Sequence, residues 1–137
     1  MASKAQMTGM RGVYLVASEL SRLGFIVSPT SRSAIGADLL VTDQKCRVAY
    51  SVQVKTNARA FGFWLIGKKA RQAVSESHVY VLVNIRSTKT KGEVIEYFIV
   101  PSKQLSKHVS HTGNWPHIRR DRILSCQNNW AAFGKPK

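Results

Sequence analysis

Asp38 and the tripeptide Gln53-Val54-Lys55 are the residues whose types and spacing suit chemistry. Attack on a phosphodiester needs a metal ion to neutralise developing charge and an activated water placed in line. Asp38 offers a hard oxygen of the kind Mg²⁺ takes. Gln53 adds a neutral side-chain carbonyl and Val54 a backbone carbonyl. Lys55, two positions after Gln53, can orient the water or hold the charged phosphate. The same alternation of polar and apolar residues also suits the solvated face of an edge strand.

These residues need two neighbouring strands to bring them together. Asp38 to Thr42 and Val48 to Thr56 read as a hairpin joined around Asp43-Gln44-Lys45. In the second strand the two-residue period puts Gln53 and Lys55 on one face, with Val52 and Val54 entering the core. Before them, Thr8 to Gly24 reads as a helix, with Val13, Val16, Ala17, Leu20 and Leu23 on one face. Thr8 is the expected N-cap and Gly24 the C-terminal stop. Phe25-Ile26-Val27 is a short extended piece leading to a turn-rich loop.

After them, Phe61 to Ile66 is expected to form a short strand and Lys68 to Ser75 a brief helix. His78 to Ile85 is a continuous apolar, β-branched run, as in a central strand covered on both sides. Val94 to Val100 pairs with it across a basic turn. Pro101 to Ser110 is expected to hold a short helix, and Trp115, Trp130 and Phe133 to pack back on the core. No internal repeat or linker divides the chain, so residues 1–137 read as one α/β domain.

Charge sets the class of partner. Twenty-one Lys and Arg face seven Asp and Glu in 137 residues, a formal net charge of +14 with pI near 10.4. Such a field captures polyanions, nucleic acid first. The basic residues are dispersed, which points to a folded basic surface. A membrane partner is disfavoured, because there is no basic amphipathic helix and no apolar run near eighteen residues. Cys46 and Cys126 lack nearby thiols or histidines at metal spacing, and read as unpaired thiols in a reducing cytosol. The N-terminus lacks a signal-peptide core, so a soluble cytoplasmic protein is expected. Serine or cysteine nucleophile schemes lack their partner residues, and no Walker-type phosphate loop is present.

The chain resembles the PD-(D/E)xK nuclease superfamily, and within it the small members related to Holliday-junction resolvases and certain homing endonucleases. The resemblance runs through Gly12 to Leu20, Leu23-Gly24-Phe25, Gly36-Ala37-Asp38-Leu39-Leu40-Val41 and Ser51-Val52-Gln53-Val54-Lys55-Thr56. It extends more loosely to Tyr97 to Ser102 and the Asn129-Trp130 region. It implies a restriction-endonuclease-like core, a mixed β-sheet flanked by helices. It also implies a metal-dependent endodeoxyribonuclease using Mg²⁺ or Mn²⁺ on double-stranded or branched DNA, as a homodimer or tetramer. By the resemblance Asp38 is the metal-binding aspartate, Gln53 stands at the first position of the (D/E)xK element, and Lys55 is the catalytic lysine. Related proteins commonly carry Glu where this chain has Val13, so the second acidic ligand is missing. Glu19 does not replace it, lying about 240° round the helix and roughly 9 Å along it. A nuclease-derived DNA-binding module without cleavage is therefore the alternative reading, and an RNA partner is a third.

Arg59, Lys68, Lys69 and Arg71 flank the aromatic run Phe61-Gly62-Phe63-Trp64. The basic residues are expected to contact phosphates and the aromatics to enter the core, with a ring against a base as the alternative. Arg119, Arg120 and Arg122 form the densest cationic cluster, suited to a phosphate-binding loop, and Arg32 lies in the loop before Asp38.

Overall fold

A serine at position 3 starts the first helix. Its hydroxyl accepts the Gln6 N–H at 3.2 Å, and the Gln6 side chain accepts the Ser3 N–H at 2.9 Å. This reciprocal capping box opens helix α1, Lys4–Arg22. Thr8, the expected cap, therefore sits inside the helix. The apolar stripe begins only at Val13, so the first two turns carry no core signal in the sequence. The structure is a computed structural model and describes residues 1–31, 36–59, 62–72 and 74–134. The end of α1 falls where expected, with Gly24 just beyond the Leu23 cap at a φ of +94°.

Gly12, Val16 and Leu20 are the buried positions of α1. Gly12 is needed there. A Cβ at this position would stand 1.7 Å from the Thr56 Oγ1, so only a bare backbone lets α1 come this close to the sheet. The Thr56 hydroxyl beneath it is buried without a hydrogen-bond partner among the described residues.

The sheet runs β1 (Ile26–Pro29), β2 (Leu39–Thr42), β3 (Ala49–Asn57), β5 (His78–Thr88), β6 (Gly92–Pro101) in spatial order. β3 and β5 are parallel and the other neighbours antiparallel, giving the expected mixed sheet. A parallel pair needs a crossover. Here the crossover carries β4 (Phe63–Leu65) and a 3₁₀ turn, Lys68–Arg71. The helix expected over Lys68 to Ser75 is reduced to that single turn.

β5 is buried on both faces from His78 to Ile85, as its apolar run predicted. Its odd-numbered valines join Leu39, Val52, Val54 and Ile99 against Val16 and Leu20 of α1, with Phe25 and Phe133 completing that core. On the other face Tyr80, Leu82, Phe98 and Val100 meet Trp64, Leu105, Ile118 and Ile123. The buried Trp64 indole is satisfied by the Val83 carbonyl at 3.0 Å.

The second core lies under a sheet absent from the sequence reading. β4 pairs with β8 (His117–Arg119), which pairs with β7 (Val109–Ser110). The helix expected over Pro101 to Ser110 shrinks to α2, Ser102–Leu105, because the chain returns to form β7. Two- and three-residue strands carry too little alternation to register as a pattern. Two aromatic assignments change with them. Phe63 faces outward at 42 % exposure, and Trp115 stands free of the core at 70 %. Phe61 lies outside the described residues. No helix among the described residues is long and apolar enough to cross a membrane.

Candidate active site

β3 outruns its neighbour. β2 begins at Leu39, opposite Val52, so the stretch from Gln53 to Asn57 is paired only with β5. Backbone groups on the open edge need other partners. The segment before β2 supplies them. The Asp38 N–H donates to the Val52 carbonyl at 2.7 Å, and the Asp38 carboxylate accepts the Val54 N–H at 2.8 Å. In a strand, N–H and C=O of one residue point to the same edge, so the Val54 carbonyl also faces this opening.

Thr30 holds the segment from the other side. Its N–H donates to the Asp38 carbonyl at 3.0 Å and its hydroxyl to the Ala37 carbonyl at 2.6 Å. Gly36, at a φ of +95°, permits the turn into it. Leu40 pairs with Ser51, so alternation places Asp38 on the face of Gln53 and Lys55. Asp38, Gln53, Val54 and Lys55 line one cleft of about 560 Å³, closed on the helix side by Val13 and Tyr14 of α1. Tyr14, like Thr30, was not singled out in the sequence. It falls on the polar side of α1, and only the bare edge of β3 makes it a wall.

The carboxylates are distributed unevenly. Glu19 pairs with Arg22, Asp43 with Arg47, Glu76 with Lys103, Glu93 with Arg11, Glu96 with Arg86 and Arg120, and Asp121 with Arg119. Asp38 is the one carboxylate that no cationic side chain reaches among the described residues. Glu19, paired with Arg22, does not line the cleft. Val13 lines the cleft from α1 and supplies no acid. Among the described residues no three His, Cys, Asp or Glu cluster to hold a metal ion. What the cleft offers is an all-oxygen set of low charge, from Asp38, Gln53 and Val54. That chemistry fits Mg²⁺ or Mn²⁺ with water and a phosphate completing the shell, and does not fit zinc.

The expected phosphate contacts separate into groups. Arg59 is exposed just beyond β3, and Lys68, Lys69 and Arg71 are exposed on the 3₁₀ turn after β4. None of them forms an ion pair among the described residues, and neither does Arg122. Arg119 is paired with Asp121. Arg120 is turned inward: it bonds the buried Glu96 at 2.8 Å and lies over the Phe98 ring at 5.5 Å. Burial, the largest single influence, opposes ionisation of Glu96, but hydrogen bonds from Arg120 and Asn84 together with the charges of Arg120 and Arg86 outweigh it and hold the carboxyl below its usual range. The signal for this network was present, since Glu96 shares the inward period of Phe98 and Val100. Arg32 lies outside the described residues.

His78, unassigned in the sequence, stands one strand over from Ser51, its Nδ1 2.6 Å from the Ser51 hydroxyl. Burial lowers its pKa, and a hydrogen bond with the Ser51 backbone opposes that shift.

The fold so described is the restriction-endonuclease-like α/β fold, as the resemblance implied. The Holliday junction resolvase Hjc of the archaeal hyperthermophile Archaeoglobus fulgidus is similar over 85 % of this chain and 88 % of its own, with a TM-score of 0.53 and 13 % identity. The bacterial homing endonuclease I-Ssp6803I is similar over 95 % of this chain and 90 % of its own, with a TM-score of 0.56 and 13 % identity. At that identity the likeness is one of fold. No protein-family model matches the sequence, and no curated protein matches it.

Proposed function

We propose that the protein is a metal-dependent endodeoxyribonuclease that hydrolyses phosphodiester bonds in double-stranded or branched DNA. The observation that carries this reading is the Asp38 carboxylate, the one acid left without a cationic partner among the described residues, in a cleft shared with Lys55 in a protein of charge +14. Mg²⁺ or Mn²⁺, when bound, would neutralise charge on the phosphoryl oxygens. Asp38 would hold the ion through the carboxylate, Gln53 through its amide oxygen and Val54 through its backbone carbonyl. Lys55 orients the attacking water or holds the scissile phosphate by charge. Arg59, Lys68, Lys69, Arg71, Arg119 and Arg122 grip the sugar–phosphate backbone, which fixes register without reading sequence. A homodimer or homotetramer would bring two clefts to the two strands.

A second reading is favoured by Val13. With a single carboxylate in the cleft, the same protein serves as a DNA-binding module that has lost cleavage. Nicking of supercoiled, linear and branched DNA with Mg²⁺, Mn²⁺ or EDTA separates the two. Metal-dependent cleavage, lost in both Asp38→Asn and Lys55→Ala, is the expected result. Salt-dependent binding by all three proteins with no scission under any metal leaves the binding module in its place.

A further inference from the structure

The cleft at Asp38 does not end at β3. It shares Lys55 and Thr56 with a second hollow of about 310 Å³ that reaches Phe63 and Leu65 on β4. Phe63 in turn borders a third, of about 480 Å³, that includes His117 and Arg119 of β8. The three hollows thus adjoin one another through shared residues, from the candidate active site to the small sheet.

That sheet has two unlike faces. Trp64 and Ile118 are sealed in the core at 1 % and 0 % exposure. Their neighbours Phe63, Leu65, His117 and Arg119 alternate to the outside, registered Phe63 to Arg119 and Leu65 to His117. The Phe63 and His117 rings meet edge to face, with centroids 5.5 Å apart. Trp115, just before β8, is held by the bond between its carbonyl and the His117 Nδ1 at 3.0 Å, and its indole is open to solvent. Exposed apolar rings grouped on one face gain free energy when a partner covers them, and such patches mark contact sites.

Charge says what covers them. Lys55 stands at the entrance, Arg59 in the loop before β4, and Lys68, Lys69 and Arg71 directly after it. The one acid along the second and third hollows is Asp121, already paired with Arg119. An anion with flat apolar faces meets both requirements. In regular duplex DNA those faces are stacked inside the helix and out of reach, whereas unpaired nucleotides present them.

We propose that the outer face of β4 and β8 is a stacking platform for unpaired nucleotides adjoining the cleft, with Phe63 and Trp115 receiving bases and Arg119 the backbone. This rests on the DNA-binding reading above, and it narrows the substrate to DNA with a single-stranded segment beside the duplex.

The test uses the full chain in EDTA, so that binding is read without cleavage. Its probes are a plain duplex and the same duplex with a short flap carrying the fluorescent base 2-aminopurine. Flap DNA should bind at least roughly tenfold tighter than plain duplex, with a change in 2-aminopurine emission as the base stacks. Phe63→Ala and Trp115→Ala should remove most of that advantage and leave duplex affinity in place, while Trp115→Phe, which keeps a ring, should retain it. Both rings are exposed, so an unchanged melting temperature is expected for each variant. Equal affinity for the two DNAs, or a flap preference that survives both alanine changes, overturns the platform and leaves the nuclease reading standing. Failure to bind either DNA overturns both.

Discussion

Asp38 accepts the backbone N–H of Val54 at 2.8 Å, and in doing so takes the place of a missing strand partner on β3. One side chain thus completes the sheet edge and sets a carboxylate at the cleft. The two roles are separable. Asp38→Asn keeps an acceptor for Val54 and should fold with near-native stability, whereas Asp38→Ala leaves that N–H to water and should cost about 1 kcal/mol. Neither variant should cleave DNA. Urea denaturation beside a nicking assay checks both halves, and an active Asn variant would sink the assignment of Asp38 to the ion.

Val13 lines the same cleft from α1 and is only partly buried, so a longer polar side chain has room at its edge. Val13→Glu should place a second carboxylate opposite Asp38. The expected outcome is tighter Mg²⁺ binding by calorimetry and faster nicking, or nicking gained if the native protein has none. No change in metal affinity would mean that the helix position does not reach the ion.

Gly12 packs its bare Cα over Thr56. Gly12→Ala would force a Cβ to within 1.7 Å of the Thr56 Oγ1, so α1 must lift off β3. Overpacking of this kind costs about 1–3 kcal/mol or more, against the gain in helix propensity that Ala brings elsewhere. Thr56→Ala in the same chain removes the nearest atom and should restore part of the loss. Thermal unfolding of the single and double variants reads the coupling.

Arg120 holds a buried carboxylate in charge balance. Arg120→Met leaves Glu96 only the longer Arg86 contact at 3.6 Å and the Asn84 bond. It should destabilise by less than the roughly 3–5 kcal/mol of a fully unpaired buried charge, the more so because the Arg120 side chain is 32 % exposed. The folded Glu96 carboxyl titrates below its usual range, so the pair contributes fully above the unfolded value near 4.3. That contribution is lost as pH falls through the folded value. The penalty for Arg120→Met should therefore be large at pH 7 and shrink below pH 4. A penalty independent of pH would assign Arg120 a packing role alone.

His78 gives a second pH signature at milder acidity. Its folded pKa lies below the unfolded value of about 6.5, so below that value the unfolded chain binds a proton that the folded one refuses. Stability should decline as pH drops from 7 toward 5, and His78→Asn should flatten that slope. Denaturant midpoints across this range measure it, and an equal slope in both proteins would argue against the burial effect.

The parts of the fold that were legible in the sequence are those with a long period. The stripe through Val16 and Leu20, the alternation in Tyr50 to Lys55 and the apolar run from His78 each repeat often enough to fix an element and its buried side. Asp38, Gln53 and Lys55 line one cleft because strand alternation and a short hairpin leave them few other places. The small sheet was illegible for the opposite reason. β4, β7 and β8 are held by one another and by the second core, so their signal is tertiary. The outward turn of Phe63 is part of that, since an aromatic residue in a short strand carries no sign of its side, and Trp115 lies in the bend before β8, where no period applies. The inward commitment of Arg120 is similar, because three neighbouring arginines look alike until Glu96 selects one.

The pairing of Phe63 with Arg119 joins residues fifty-six positions apart. A chain emerging from the ribosome carries β4 as a bare ribbon until most of its length has been made. Its open hydrogen-bonding edge and the outward Phe63 ring are then exposed together, which is the usual hazard for edge-to-edge aggregation. The basic residues around β4 repel a second copy during that interval. The charges that suit the mature surface to a polyanion would thus also protect the nascent chain from its own kind.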